Sequence, residues 1–487
     1  MQHLIFKESY LFNTSSPDKA LFYAFCALLV WLPLPVASNL PWAWSVMEVW
    51  TGFLFISWCW LYFQDKVRIS KSCYAARYVL VFFGLWLIYI TLQITPLSVE
   101  VINTLSPLSL EHWLSLNGLR ETENSGYSIS VDQKITRLSL LLSLSYFLIF
   151  FLTLVLVTNR KRLKFLAYSL VCSGLFQAVY GAVMTLSGME YGFFIKKYAY
   201  VGVATGTFVN RNHLAGYLEM TLAIGIGLLI ATIAIGSGAR TWKKKLLNLF
   251  RLLLSAKARL RLCLVMMVIA LVLTHSRMGN TAFFISLFIT GAIGLVFSRH
   301  ATRSVVILLV SLVIIDMLIV GQWFGFEKLK HRLEQTSEMS ENRDEVYGYA
   351  IEQWREYPQT GSGLGSFYAV FPQYRGVDVY GYNREAHNDY LQFATETGVI
   401  GLVLLALITL ISFFAAIFAH HRRRDPLMRG ISFASIMGIL AIMIHSTVDF
   451  NLQIPANAAT FVVLLAFAWI SLCLAKKKKE ISSIENS

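Results

Sequence analysis

Charged side chains are scarce in this chain: 14% of its 487 residues, against 56% hydrophobic. A water-soluble globular chain carries about a quarter, so the surface charge that solubility requires is missing and a soluble globular protein is excluded. Six cysteines (Cys26, Cys59, Cys73, Cys172, Cys263, Cys473) lie in or beside apolar runs and form no C-x-x-C pair. They read as small apolar residues, not as zinc ligands or a disulfide framework. No G-x-S-x-G elbow occurs, which weighs against a hydrolase triad. Gly361-x-Gly363-x-Gly365 has no strand before it, no obvious helix after it and no Walker lysine, so it fails as a nucleotide loop. No Asp, Glu or His grouping has metal-ligand spacing, and no metal or cofactor is expected. The first apolar run lacks a basic flank and a small-x-small cleavage site; it is expected to be a retained helix, not a signal peptide.

What the chain has instead is a series of apolar runs. Stretches 20–37, 44–64, 78–95, 138–158, 165–186, 213–235, 263–274, 281–298, 304–322, 398–419, 431–446 and 456–475 mostly approach the ~20 residues that cross a bilayer core. The seventh is short and is expected to extend. The reading is an all-α, polytopic transmembrane bundle of about twelve helices, with a large, partly helical outer loop. Three regions follow: helices 1–9 over 1–322, the loop over 323–397, and three further helices with a basic tail over 398–487. Most of the 42 Lys and Arg fall on one side, for example Arg160–Lys164, Arg422–Arg424 and Lys476–Lys479. Short basic loops stay in the cytoplasm, which puts both termini there and the 323–397 loop on the opposite face. The net charge of +14 is thus mainly an orientation signal, and nucleic acid is not an expected partner.

Three segments of the outer face are irregular. Segment 96–136 reads as a modest polar loop. Segment 187–212 leads into the polar cluster Gly206-Thr207-Phe208-Val209-Asn210-Arg211-Asn212-His213. The long loop begins with a helical pattern over Asn342–Trp354 that Pro358 ends. A turn over Gly361–Ser366 follows, then aromatics (Phe367, Tyr368, Phe371, Tyr374, Tyr380, Tyr382) and finally Glu385-Ala386-His387-Asn388-Asp389. A connection of this length is rarely passive, and it is expected to fold over the helix ends.

Arg211 and Arg277 are the most informative charges. An arginine at membrane depth is costly unless it faces a cavity or a partner; the bland alternative is snorkelling to headgroups. A guanidinium fork suits phosphate oxygens, and a lipid-linked pyrophosphate is the anion found at that depth. His387 is the candidate general base, since a neutral imidazole accepts a hydroxyl proton near neutral pH. Glu385, Asn388 and Asp389 are close enough to orient it, although Asn388 also fits a helix N-cap. His445 and Asp449 are four apart and share a helix face; a structural and a sugar-contact role are both open for them. Gly398-x-x-Gly401 would permit close helix packing beneath the site.

On these stretches the chain resembles the O-antigen ligase and polymerase superfamily of bacterial inner membranes. The carriers are Gly206-Thr-Phe-Val-Asn-Arg-Asn-His-Leu-Ala-Gly216, Ser276-Arg277-x-Gly279, His387-Asn388 with Gly398-x-x-Gly401, and His445-Ser446-x-x-Asp449-Phe450-Asn451. The likeness is strongest over 200–460. The resemblance implies a metal-independent, inverting glycosyl transfer at the periplasmic face. Its donor would be an undecaprenyl-pyrophosphate-linked glycan, and its acceptor a glycan or lipid A-core. Arg211 and Arg277 would bind the pyrophosphate and His387 would activate the acceptor hydroxyl. Asn210, Asn212, Arg384, Asn388, Asp389, His445, Asp449 and Tyr382 are the expected substrate contacts, with Tyr368 and Tyr374 stacking on sugar rings. A polymerase is favoured over a ligase because nothing points to a dedicated protein or lipid A acceptor. A lipid-linked glycan transporter is the rival from another class, disfavoured because no convincing repeat is visible and the polar sites gather at the rim.

Overall fold

The computed structural model describes residues 16–117, 127–192, 195–197, 199–232, 256–296, 337–379 and 384–474. Eleven of the expected spans have a helix there; the ninth, 304–322, and Tyr380 and Tyr382 lie outside the described residues. The chain runs α1 (Lys19–Trp31), α2 (Pro41–Phe63), α3 (Lys71–Ala75), α4 (Arg77–Ile94), α5 (Val99–Leu105), α6 (Pro107–Asn117), α7 (Gln133–Leu156) and α8 (Arg160–Ser187). After a two-residue hairpin, Tyr191–Gly192 against Ile195–Lys196, come α9 (Arg211–Thr232), α10 (Ala256–Leu273), α11 (Arg277–Val296) and α12 (Ser337–Glu356). The last elements are α13 (Phe367–Val370), α14 (Asp389–Arg422), α15 (Pro426–His445) and α16 (Pro455–Cys473). Among the described residues nine helices are long and apolar enough to cross a membrane. The protein is an all-α polytopic bundle.

Three expectations are refined. Segment 96–136 is not mere loop, because α5 and α6 lie in it. The seventh span extends to 18 residues as α10. A short helix, α13, does follow the Gly361–Ser366 turn, although that turn serves packing, as described below.

Burial separates central from peripheral helices. On α2 only Ala43, Met47, Thr51, Leu54 and Trp58 are buried, one stripe at helical spacing. Its opposite face exposes Val49, Phe53, Ile56, Trp60 and Phe63, as a lipid-facing surface would. By contrast, α9 and α16 are buried along most of their length. Glycines let α9 and α15 approach backbone to backbone: a Cβ on Gly227 would lie 2.2 Å from the Gly430 carbonyl oxygen, and one on Gly430 would lie 2.1 Å from that of Gly227. Such close approach is how helices associate where lipid removes the hydrophobic driving force.

The Gly398 region also behaves differently from expectation. Gly398 has φ 60° and ψ −167° and breaks α14 rather than merely easing a helix crossing. The break receives the Pro358–Leu364 segment. Val399 N donates to Pro358 O (2.9 Å), while Ser362 N and Gly363 N donate to Thr395 O (3.0 Å) and Glu396 O (2.9 Å). From α4, Tyr89 Oη donates to Thr360 O and Thr397 O (2.7 and 2.8 Å), and Gln93 Nε2 to Thr360 O and Glu396 O (2.9 and 3.0 Å). Backbone groups freed by the break are thereby re-paired inside protein, the condition for irregular backbone among membrane helices. Gly361, Gly363 and Gly365 all have positive φ and close neighbours where a Cβ would be, as does Gly398, which explains the glycine spacing without a nucleotide.

Candidate active site

Connectivity brings the starts of α9, α11, α14 and α16 and the end of α15 to one end of the bundle. At the start of α9, Asn210 Oδ1 accepts from Asn212 N at 2.8 Å, satisfying an orphan donor of the first turn. The next residue, Arg211, holds its Cζ 5.8 Å from the Tyr200 ring centroid. At the start of α11, Ser276 Oγ accepts from Gly279 N at 3.2 Å, and Arg277 between them is exposed. A Cβ on Gly279 would lie 2.6 Å from Ala215 Cβ and 3.1 Å from Glu219 Oε1. The helix that begins with Arg277 therefore rests on the first turns of the helix that begins with Arg211.

His387 sits at the mouth of α14. Asn388 is the N-cap: its Oδ1 accepts from Leu391 N (3.1 Å), and its Nδ2 donates to Thr447 O (2.9 Å). The capping role left open for Asn388 is the one observed. Asp389 N donates to Ser446 O (3.0 Å) and Asp449 O (3.2 Å), while Asp389 Oδ2 accepts from Ser446 Oγ (2.7 Å) and Leu452 N (3.0 Å). Tyr347 of α12 donates to His387 O at 2.8 Å. The His387 corner is thus strapped to the 446–452 turn by hydrogen bonds on several sides.

Phe450 joins the two halves of the site. Its ring lies between His213 (centroids 4.5 Å apart, 77°) and His387 (4.9 Å, 76°), edge to face with each. Beneath it Asp449 Oδ1 is 3.7 Å from His213 Nε2, and Oδ2 is 3.9 Å from His445 Nε2. His445 Nδ1 is 2.8 Å from Glu219 Oε1, with both side chains 0% exposed. Burial by itself pushes the Asp449 carboxyl up; His213 foremost, then His445 and His387, outweigh it and hold that carboxyl far below the usual range.

Besides Val36–Ser38 near Thr207, three non-glycine residues of this end are left-handed: Tyr200 (φ 54°), His275 (φ 53°) and His387 (φ 53°). Such residues store roughly 1–3 kcal/mol each and gather at functional sites. Here they flank or carry Arg211, Arg277 and His387.

The other expected contacts differ in burial. His445 and Asp449 are fully buried, so the structural role left open for them has geometric support and a direct sugar contact does not. Asp389 is buried too, 1% exposed, but lines a cavity. Arg384 is exposed and 3.7 Å from Glu385 Oε1, a carboxylate that Gln392 Nε2 also reaches at 2.9 Å. Burial and the neighbouring Glu396 push Glu385 up to about 8. Tyr368 donates to Asp132 Oδ2 at 2.6 Å, and Tyr374 donates to Glu356. Glu219 went unrecognised in the sequence; a lone acid within an apolar span is the signal that flags it. Among the described residues no group of three His, Cys, Asp or Glu has metal-holding geometry.

A cavity of about 610 Å³ opens on the far side of α15 from α9, between α4, α7, α14, α15 and α16. Its walls are largely apolar, including Phe83, Leu405, Phe413, Met443 and Phe461, with Asp389, Ser446 and Gln453 at the His387 end. Leu410 and Tyr390, which also line it, are exposed on the bundle surface.

The helices and this polar end define a multi-pass membrane protein with a carboxylate–imidazole cluster at one rim. Residues 262–406 match the family model described as O-Antigen ligase. That match supports the O-antigen ligase and polymerase superfamily and, with it, a glycosyltransferase-type activity. It spans Arg277, His387 and Gly398, while Arg211, His445 and Asp449 lie outside it. No curated protein matches the chain.

Proposed function

We propose that the protein transfers a glycan from an undecaprenyl-pyrophosphate donor to a sugar hydroxyl at the periplasmic face of a bacterial inner membrane, polymerising surface polysaccharide or O-antigen repeats. The observation that carries this reading is the gathering, at one bundle end, of two arginine-led helix starts and His387 around Phe450 and Asp449. In the proposed step His387 takes the proton as the acceptor O–H bond breaks, and the acceptor oxygen bonds the anomeric carbon. The bond from that carbon to phosphate breaks, and its electron pair leaves with the pyrophosphate. Arg211 and Arg277 meet the growing negative charge, an effect that is large where water is excluded. Asn210 and Asn212 flank the first arginine as donor contacts. The cavity supports an apolar chain entering from the bilayer, and loop movement would admit the bulky glycan.

The test is transfer by purified protein in lipid bilayers, supplied with lipid-linked glycan and acceptor. R211A, R277A and H387A should each abolish the new glycosidic product while remaining in the membrane. Normal product from H387A removes its proposed role, and relocation of donor without product converts the protein to a transporter. A ligase is the second reading, favoured by the description of the matched family. Deletion separates the two: loss of a polymerase leaves single repeats, and loss of a ligase leaves long glycans on the carrier lipid.

A further inference from the structure

The proposed reaction assigns no role to the deepest charges of the site. Glu219 and His445 come from α9 and α15, are wholly buried and touch at 2.8 Å. Neither has an exposed surface for a substrate. The free edge of His445 is turned to Asp449 (3.9 Å), and the other oxygen of Asp449 is turned to His213 (3.7 Å). Phe450, the residue after Asp449, is clasped between His213 and His387. Asp449 O and Thr447 O also take the hydrogen bonds that fix the His387–Asp389 corner. Contacts therefore lead from Glu219 through His445 and the Asp449 carboxylate to His213, and from His213 across the Phe450 ring to His387, whose charge the same carboxylate feels.

We propose that Glu219 and His445 are positioning residues: the pair holds the Asp449 carboxylate against the rim histidines, so that Asp449 stabilises the imidazolium formed when His387 takes a proton. This rests on the glycosyl-transfer reading above. Imidazolium formation beside a fixed carboxylate is favoured by charge, and strongly so in a buried setting that salt does not screen. If Asp449 could turn away, that stabilisation would vanish at the moment of proton transfer. Glu219 prevents this by engaging the far nitrogen of His445, whose near nitrogen faces Asp449. The titratable groups that face the pair are Asp449 in the adjoining turn and Asp389 from α14, with His213 of α9 and His387 in turn facing Asp449.

The experiment measures donor kcat and KM across pH for full-length protein in bilayers. D449N is expected to lower kcat on the order of 10²-fold, within the range of acid–base contributions. E219Q and H445Q should each lower it about tenfold with donor KM within about twofold, the pattern of a loss confined to the transition state. Removing the carboxylate near His387 weakens its hold on a proton, so the acid limb of the profile moves to lower pH in D449N and, less far, in E219Q. The double variant E219Q/D449N should be no slower than D449N within about twofold, because both changes act through the same carboxylate. Additive losses, an unmoved acid limb, or a wild-type rate in both E219Q and H445Q overturns the proposal. Should E219Q not accumulate in the membrane, E219D takes its place in the same cycle. An active H387A also overturns the proposal, since no imidazolium would then need holding, whereas an inactive wild type overturns the glycosyl-transfer reading itself.

Discussion

At one end of the bundle the buried carboxylates Asp18 and Asp425 are held by arginine; at the other, Glu219 and Asp449 are held by histidine. Arg162 grips both oxygens of Asp18 at 2.7 Å, and Arg160 pairs with Asp425, which also caps α15 through Leu427 N and Met428 N. At the opposite end Glu219 and Asp449 face His445 and His213, and Asp389 takes a hydroxyl and a backbone N–H. A guanidinium keeps its charge at any accessible pH, so an Arg–carboxylate pair is a permanent fastening. An imidazole gains and loses its proton near neutrality. The first end is built to stay as it is, and the second can change charge during a reaction.

The largest expected break in this contrast is H387A, which should reduce transfer on the order of 10²–10⁴-fold with unchanged membrane insertion, read by product formation in bilayers. R162A should do the reverse. Removing one partner of a buried ion pair costs about 3–5 kcal/mol, so the midpoint of denaturation should fall while the rate per folded molecule stays near wild type. Next comes G398A, in which a Cβ would meet Gln359 O at 2.2 Å with φ at 60°. Strain of this kind costs roughly 1–3 kcal/mol, and the loosened Pro358–Leu364 segment should become accessible to protease.

The smallest effect is in pH dependence. Burial raises Asp425, but Arg160 and the capping N–H groups outweigh it and leave its pKa lowered. Its contribution to stability is complete above the unfolded carboxylate value and is lost as pH falls through the lower folded one. Glu385 has the opposite sign. With its value raised from 4.5 to about 8, folding favours the protonated form, so stability declines as pH rises across that window. E385Q should flatten the decline in a thermal unfolding series from pH 5 to pH 8, whereas D425N should flatten only the acid side.

Much of the architecture could be read from local pattern. Each described span follows an apolar run, and Asn388, a cap candidate in the sequence, does cap α14; Asp425 and Asn159 cap α15 and α8 in the structure. Arg211, Arg277 and His387 stood out as polar residues interrupting apolar sequence, and their burial and neighbours could not be read the same way. Gly398 illustrates the limit. A Gly-x-x-Gly step signals close packing, but nothing near it in sequence foretells that Pro358–Leu364 would fill a broken helix.

Hydrophobic run length is a short-range property, so composition and order along the chain were enough to specify a many-helix membrane protein and roughly where its helices lie. The Glu219–His445 contact joins residues 226 positions apart, and Phe450 meets two histidines from different segments. Those neighbours exist because α9 and α15 cross at Gly227 and Gly430 and because the 446–452 turn is tied to the start of α14. Long-range packing, which no local period encodes, converted scattered polar residues into one charged cluster.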